Sequence, residues 1–234
     1  MVSVLVVAPH SDDECLGPGG TIALLAQAGA EVTVVTVCSD MPPLFAPEVR
    51  GLAHSEARRA HAVLGVKNSV FLDIPTVEVS QSPIASLNKS IQDITDELAP
   101  KIVFLPFPDR HVDHKAIFDA AMVATRPYRK GIEVQMVAMY ETISETFWNA
   151  PGAEPTFAPQ WTVDITSTID KKLQAFGEFQ SRQVHFPGPR SCEALRALAL
   201  FRGSQTSCAY GEAFQLARAS FSPLSLMGQV LNGH

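Results

Sequence analysis

A run of polar residues directly follows the first apolar segment of the sequence and contains side chains that could bind a metal ion. His10, Asp12, Asp13 and Glu14 lie in this run, ahead of the glycine-rich stretch at residues 17–20. Imidazole and carboxylate groups suit divalent ions such as zinc. Polar residues in a row between a buried strand and a helix need a reason, and metal binding would supply one.

A second group of the same residue types lies much further along the chain. Asp109, His111, Asp113 and His114 follow the apolar segment KIVFLP at residues 101–106. His111 and His114 share one face if their segment is helical. Ligands of α/β sheets bind beyond the carboxyl ends of the parallel strands, and both groups follow such predicted strands. We therefore expect the two groups to meet at one site.

Each group also has a simpler explanation. Asp12 and Asp13 could cap the helix that follows them, because acidic residues are favoured at helix N-termini. His111 and His114 could be surface residues of a polar turn. The occurrence of both groups at the same sheet edge favours the metal site.

Several other glycine, histidine, cysteine and tryptophan residues are interpreted mainly as structural and not as functional residues. The stretch Gly17-Pro18-Gly19-Gly20 matches neither nucleotide-binding glycine motif, so it is interpreted as a tight turn. His54 and His61 are predicted to be solvated on a helix. Cys15 and Cys38 are interpreted as packing residues, and Trp148 and Trp161 as core or cleft residues.

The elements that position these groups alternate along the chain. A continuous apolar, β-branched run predicts a buried strand at residues 2–8, and further strands are predicted at residues 31–38, 69–74, 101–106 and 134–140. Helical spacing predicts helices at residues 21–30, 49–64, 84–98, 114–124, 170–183 and 191–202. This order predicts an α/β fold, namely one Rossmann-like three-layer domain over residues 1–234 with a mostly parallel sheet. Residues 142–190 are predicted to supply a loop and turn region that covers the site.

Composition narrows the class of protein. The chain has 234 residues, 46% of them hydrophobic, and a formal net charge of −6, which is typical of a globular protein and unfavourable for binding nucleic acid. Its apolar stretches are shorter than the about 20 residues that span a bilayer, and no basic leader precedes them. The four cysteines are scattered, which suggests reduced thiols and a cytoplasmic location.

The motifs identify a resemblance. The sequence resembles the PIG-L/LmbE-like superfamily of zinc-dependent de-N-acetylases, whose first motif matches Pro9-His10-Ser11-Asp12-Asp13-Glu14 and whose second, H-x-D-H, matches His111-Val112-Asp113-His114. Further similarity to a bacterial and archaeal carbohydrate branch runs nearly end to end. It includes Glu56, Tyr140-Glu141, Lys171-Lys172, Ser181, Pro189-Arg190-Ser191, Arg202-Gly203, Tyr210 and Glu212.

The resemblance implies a role for each matched residue. His10, Asp13 and His114 fall on the metal ligands, Asp12 on the general base, and His111 on the histidine that stabilises the transition state. The implied cofactor is Zn²⁺, with Fe²⁺ as the alternative. Asp113 is expected to hold His111 in its charged form, since a nearby carboxylate raises the pKa of a histidine. Asp109 also falls where the family places supporting groups.

The sequence departs from the family pattern where substrates bind. An arginine common before the helix glutamate is replaced by Ala53, and the histidine of the H-P-R-S turn is replaced by Gly188. His185 is a candidate substitute, and Arg190 could contact the substrate or form a structural salt bridge. A neighbouring subunit could complete the site, since the resemblance also favours a homo-oligomer.

The resemblance implies a hydrolase that uses metal-activated water. Its substrate would be the acetamide group of an N-acetylglucosamine-type sugar, or of a conjugate that contains such a sugar. Two alternatives remain, an amidase acting on another amide such as a thiol–sugar conjugate, and a sugar-binding homologue without catalysis. The expected binding partner of the protein is therefore this small acetylated sugar or conjugate. A dinucleotide-binding enzyme is disfavoured because the sequence lacks the G-x-G-x-x-G motif.

Overall fold

A computed structural model describes residues 2–150 and 152–220 of the chain. The ends of the predicted 1–234 domain, and Pro151 within the predicted 142–190 region, lie outside the described residues. The helices and strands, in chain order, are β1 (Ser3–Ala8), α1 (Asp13–Leu16), α2 (Gly19–Gln27), β2 (Glu31–Ser39), α3 (Val49–Leu64), β3 (Asn68–Pro75), α4 (Ile84–Leu98), β4 (Ile102–Pro106), α5 (Val112–Ala124), β5 (Met136–Tyr140), β6 (Trp161–Asp164), α6 (Ile169–Gly177), α7 (Cys192–Ser204) and β7 (Gly211–Ala219).

The strands of the described chain form one seven-stranded sheet in the order β3-β2-β1-β4-β5-β7-β6. The first five strands pair in parallel, from β3 at one edge through β5. β7 pairs antiparallel with both β5 and β6. The predicted single α/β domain with a mostly parallel sheet is therefore confirmed.

Side chains of β1 alternate between two hydrophobic cores, which makes the fold three layers deep. Val4 and Val6 pack in a core with buried residues of α2, α3, α6 and α7. Leu5 and Val7 pack in a second core with α4 and α5. A strand that is buried on both faces needs apolar side chains at successive positions, which explains the continuous apolar run at residues 2–8.

The structure adds elements that the sequence patterns did not predict. β6 is only four residues long, and β7 includes the charged residues Glu212 and Arg218, so neither resembles an apolar run. The helix predicted at residues 170–183 ends at Gly177. Beyond that point the Glu56 carboxylate accepts hydrogen bonds from the Ser181 N–H at 3.0 Å and the Ser181 hydroxyl at 2.5 Å, which keep this segment out of the helix.

Residues 142–190 are not a single loop. They contain β6 and α6 together with an irregular segment and a 3₁₀ turn at Thr146–Trp148. In the described part of the chain, no helix has the length and apolar character needed to cross a membrane.

Candidate metal centre

The two predicted groups of polar residues meet at the carboxyl edge of the sheet, as expected. β1 and β4 are adjacent parallel strands, so the segments that follow them leave the sheet side by side. The ring of His10 lies 4.6 Å from that of His111 and 5.5 Å from that of His114, measured between centroids. One ring nitrogen from each of these three histidines lies within 4.8 Å of the others.

Asp13 lies between two of the histidines. Its Oδ2 is 3.2 Å from His10 Nδ1 and 3.4 Å from His114 Nε2. Ligand atoms bonded to a tetrahedral zinc at about 2.0–2.1 Å lie about 3.3 Å apart, so these spacings fit a shared ion. The donor types and the separations both fit a divalent metal held by His10, His114 and a third group.

Asp109 orients His114 toward this position. Its Oδ2 lies 3.1 Å from His114 Nδ1, and it also accepts a hydrogen bond from the Thr146 hydroxyl at 3.1 Å. The other oxygen accepts the backbone N–H of His111 at 3.0 Å. A carboxylate on one ring nitrogen fixes the histidine so that the other nitrogen faces the metal position.

Neighbouring groups of opposite charge shift the pKa values of His114 and Asp13 in opposite directions. Burial alone would lower the pKa of His114, but Asp13 and the hydrogen bond to Asp109 raise this pKa to about 9. Burial likewise opposes ionisation of Asp13, yet His114 and His10 hold its pKa well below the usual value. The neighbouring histidines therefore favour the charged form of Asp13, which is the form in which a carboxylate binds metal ions.

Asp12 is the buried carboxylate beside the ligands. Burial raises its pKa to about 7, while the charge of Arg190 acts in the opposite direction and that of Asp13 adds to the rise. Among the described residues its Oδ2 has no hydrogen-bond partner. The nearest cation is Arg190, whose Nε lies 3.8 Å from that oxygen. A carboxylate with a free oxygen and a pKa near neutrality is suited to accept a proton.

Asp113 contacts His10 instead of His111, which differs from the expectation. Its Oδ2 lies 2.9 Å from His10 Nε2 and accepts the Val77 N–H at 2.8 Å, but it is 3.9 Å from His111 Nδ1. The pKa of His111 is lowered to about 4 by burial and by the charges of His10 and His114. Burial and the neighbouring His10 and His114 therefore favour the neutral form of His111, and Asp113, which contacts His10, lies too far away to offset them.

His111 begins α5 as its N-cap residue. Its Nδ1 accepts the backbone N–H of Asp113 at 3.2 Å, which leaves Nε2 as the nitrogen that carries the proton. The helix therefore begins at Val112, two residues before the start predicted at His114. His111 is the more accessible member of the group, with 23% of its side chain exposed against 1% for His114.

The two candidate substrate residues have different positions. Arg190 lies at the site, since its Nε is 3.2 Å from the Ser144 hydroxyl as well as close to Asp12. The His185 side chain is exposed, and in the described chain it makes no hydrogen bond or ion pair with the metal group. Of the two, Arg190 is the residue whose contacts place it at the site.

The sequence analysis missed a buried residue near the site. His61, predicted to be solvated, is 2% exposed and contacts Glu14, a member of the first motif. Its position on the same helical face as Ala57 and Leu64, which are both buried, is the signal that indicates burial. His54, also predicted to be solvated, is half-buried and stacks on Phe71.

Comparisons with known proteins agree with the fold. The chain is 26% identical over 231 residues to diacetylchitobiose deacetylase of Thermococcus kodakarensis, a match that covers 93% of this chain and 84% of the relative. The structure of N,N'-diacetylchitobiose deacetylase from Pyrococcus horikoshii superposes with a TM-score of 0.73 at 24% identity and covers 96% of this chain and 88% of that one.

The same fold occurs in a protein with a different activity. The structure of 4-carboxy-2-hydroxymuconate hydratase from Pseudomonas putida KT2440 has a TM-score of 0.76 at 23% identity and covers 95% of this chain and 98% of that one. The fold alone therefore does not determine the reaction. The family model described as GlcNAc-PI de-N-acetylase matches residues 5–125, just over half of the chain, and includes both motifs. The chain belongs to this PIG-L family of de-N-acetylases.

Proposed function

We propose that this protein is a metal-dependent hydrolase that removes the acetyl group from an N-acetylglucosamine-type sugar or from a conjugate that contains one. The observation that carries the proposal is the buried Asp12 carboxylate, with one oxygen free of hydrogen bonds, beside a group of imidazole and carboxylate ligands. Binding of a sugar alone would not require a base beside a metal. The deacetylase names of the relatives supply the substrate class.

The proposed metal is Zn²⁺, with Fe²⁺ as the alternative that the ligands tolerate. His10, Asp13 and His114 would hold it, and when bound it would polarise the acetamide carbonyl and lower the pKa of water toward about 7. Asp12 then takes a proton from the attacking water. The water oxygen bonds to the carbonyl carbon, the carbon–nitrogen bond breaks, and the amine leaves with a proton returned by Asp12.

His111 is proposed to stabilise the oxyanion that forms on the carbonyl oxygen. Because its Nδ1 accepts a backbone hydrogen bond, its Nε2–H is free to donate to that oxygen. This role uses a neutral imidazole as a hydrogen-bond donor, in place of the imidazolium expected from the sequence. Asp113 acts on the other side of the site, where it orients His10.

Arg190 is proposed to contact the substrate. Its guanidinium is partly exposed and lies beside the base, where it can reach sugar hydroxyls or a phosphate. An Arg190→Gln variant should raise KM with little change in melting temperature. A large fall in melting temperature with unchanged KM would show that the arginine is structural. His185, whose side chain is exposed and has no contact with the metal group within the described chain, is not assigned a role.

The test is acetate release by the purified protein, loaded with zinc, from free N-acetylglucosamine, its disaccharide and nucleotide-linked forms. We expect release from at least one of these substrates and its loss in Asp12→Asn, by about 10²–10⁴-fold. Release from none of them, with metal bound, would contradict the sugar substrate and favour another amide or a binding role. A homo-oligomer and a cytoplasmic location stay predictions that light scattering and cell fractionation can test.

A further inference from the structure

A connected series of polar side chains lies behind Asp12, outside the metal ligands. Glu14 Oε2 accepts the backbone N–H of Asp12 at 3.2 Å. Glu14 Oε1 lies 3.3 Å from His61 Nε2, and His61 Nδ1 lies 2.7 Å from the Ser69 hydroxyl. Glu14 is fully buried and His61 is 2% exposed. The series connects the loop after β1 to α3 and β3.

Asp12 needs external support because its backbone is strained. Its φ of 123° lies in the region that favours glycine, and a residue with a side chain persists there only when its surroundings hold it. Its carbonyl accepts the N–H groups of Cys15 and Leu16, each at 2.9 Å. Its own N–H is bound by Glu14. The Glu14 contact therefore fixes the N-terminal side of the strained residue.

Glu14 in turn needs a partner of opposite polarity. It is a buried carboxylate next to Asp12 and Asp13 in the sequence, and burying such a group is costly unless it is paired. His61 faces the carboxylate oxygen that Asp12 does not use. The approach of His61 Nε2 to Glu14 Oε1 at 3.3 Å is a close contact without the geometry of a hydrogen bond, and Glu14 Oε1 also accepts a weak hydrogen bond from the Cys15 thiol at 3.8 Å.

We infer that His61 is a positioning residue that acts through Glu14 to hold Asp12 in its strained, catalytically competent conformation. The kinetic consequence rests on the proposed function, whereas the effect on the Asp12 backbone does not. Within the described chain, the side-chain contacts of His61 are with Glu14 and Ser69 and not with His10, Asp13 or His114. It should therefore affect kcat and leave KM and metal content unchanged.

Two matched variants separate this role from simple packing. The amide nitrogen of a glutamine reaches about as far as histidine Nε2, whereas that of asparagine reaches about as far as Nδ1. His61→Gln keeps a donor toward Glu14, and His61→Asn keeps only the contact toward Ser69. We expect kcat to fall by about 10–100-fold in His61→Asn, by less than about threefold in His61→Gln, and KM and bound metal to stay at the wild-type level in both.

The second measurement does not depend on activity. Hydrogen–deuterium exchange of the peptide covering residues 10–16 should be faster in His61→Asn than in His61→Gln or the wild type. If His61→Asn is too unstable to study, Ser69→Ala removes the partner of Nδ1 without emptying the core. It should give a smaller change of kcat and exchange in the same direction.

The outcomes distinguish the two proposals. Equal kcat and equal exchange in the Gln and Asn variants would overturn the role of His61, even if the wild type releases acetate. An inactive wild type with faster exchange in His61→Asn would count against the proposed function and keep the positioning of Asp12. Loss of bound metal in both variants would also overturn the inference, because it would place His61 in support of the ligands.

Discussion

Lys172 Nζ donates a hydrogen bond to Glu212 Oε1 at 2.6 Å, and both side chains are 5% exposed. Lys172 also donates to the carbonyls of Leu16 and Gly17, at 3.1 and 2.6 Å. The Glu212 carboxylate accepts the N–H groups of Gly20 and Thr21, each at 2.7 Å. This ion pair between α6 and β7 therefore holds both ends of the turn that connects the metal-binding loop to α2.

Removing one partner of this pair should destabilise the fold. Lys172→Met leaves the buried Glu212 charge without its cation, and we expect the free energy of unfolding to fall by about 3 kcal/mol or more. Urea denaturation of the variant and the wild type measures this. Lys89→Met removes the exposed pair with Asp93 and is the control, with an expected change below about 0.5 kcal/mol. Equal effects of the two variants would contradict the role of the buried pair.

Metal analysis should separate ligands from catalytic groups. We expect His114→Ala and Asp13→Ala to lose both bound metal and activity, because each removes a donor atom. His111→Ala should keep its metal and lose activity, since we assign it to the oxyanion. Elemental analysis of the purified variants gives the metal content, with His54→Ala as a control outside the group. A metal-free His111→Ala would instead make the three histidines the ligand set.

Asp109, the carboxylate that orients His114, should affect the affinity of the protein for zinc. Asp109→Asn keeps the size of the side chain but removes its charge from His114 Nδ1. We expect zinc affinity to fall by about 10–100-fold, since this is the usual effect of losing such a partner. Competition with a chelator of known affinity measures the change. Unaltered affinity in a folded variant would show that Asp109 serves only the hydrogen bonds of Thr146 and His111.

Gly17 should not tolerate a side chain. A Cβ atom there would lie 2.2 Å from Tyr140 Cδ2, and the buried Tyr140 ring is held by its hydroxyl, which donates to the Val7 carbonyl at 2.8 Å. Gly17→Ala should lower stability by about 1–3 kcal/mol and reduce activity, because the ligand loop must shift. Gly51→Ala, where nothing lies within 4 Å, should be neutral or stabilising. Thermal melting of both variants provides the comparison.

The parallel part of the fold could be predicted because its inner strands are buried on both faces. Residues 31–38 and 101–106 are rich in apolar and β-branched residues, and their alternation with helices implies the parallel order and the edge where the two polar groups meet. His10, Asp12, Asp13, His111 and His114 were brought together as expected. Their residue types and their positions after strands are local properties, which a sequence carries directly.

The antiparallel part could not be predicted in the same way. β7 carries Glu212, whose charge is satisfied by backbone groups of α2 and by Lys172, all distant in sequence. Nothing near residue 212 indicates that a carboxylate there is buried. For the same reason, the helix predicted to continue to residue 183 ends early, because Glu56 on α3 binds Ser181.

The sequence by itself determined the residue types of the candidate site, the parallel sheet and the edge of the sheet where those residues meet. Only the tertiary structure decided which partner each titratable group has. It pairs Asp113 with His10, surrounds His111 with groups that lower its pKa, places Arg190 beside Asp12, and buries His61 against Glu14. Protonation and orientation depend on distances of a few ångströms between residues far apart in the chain, and the spacing of residues along a sequence does not contain those distances.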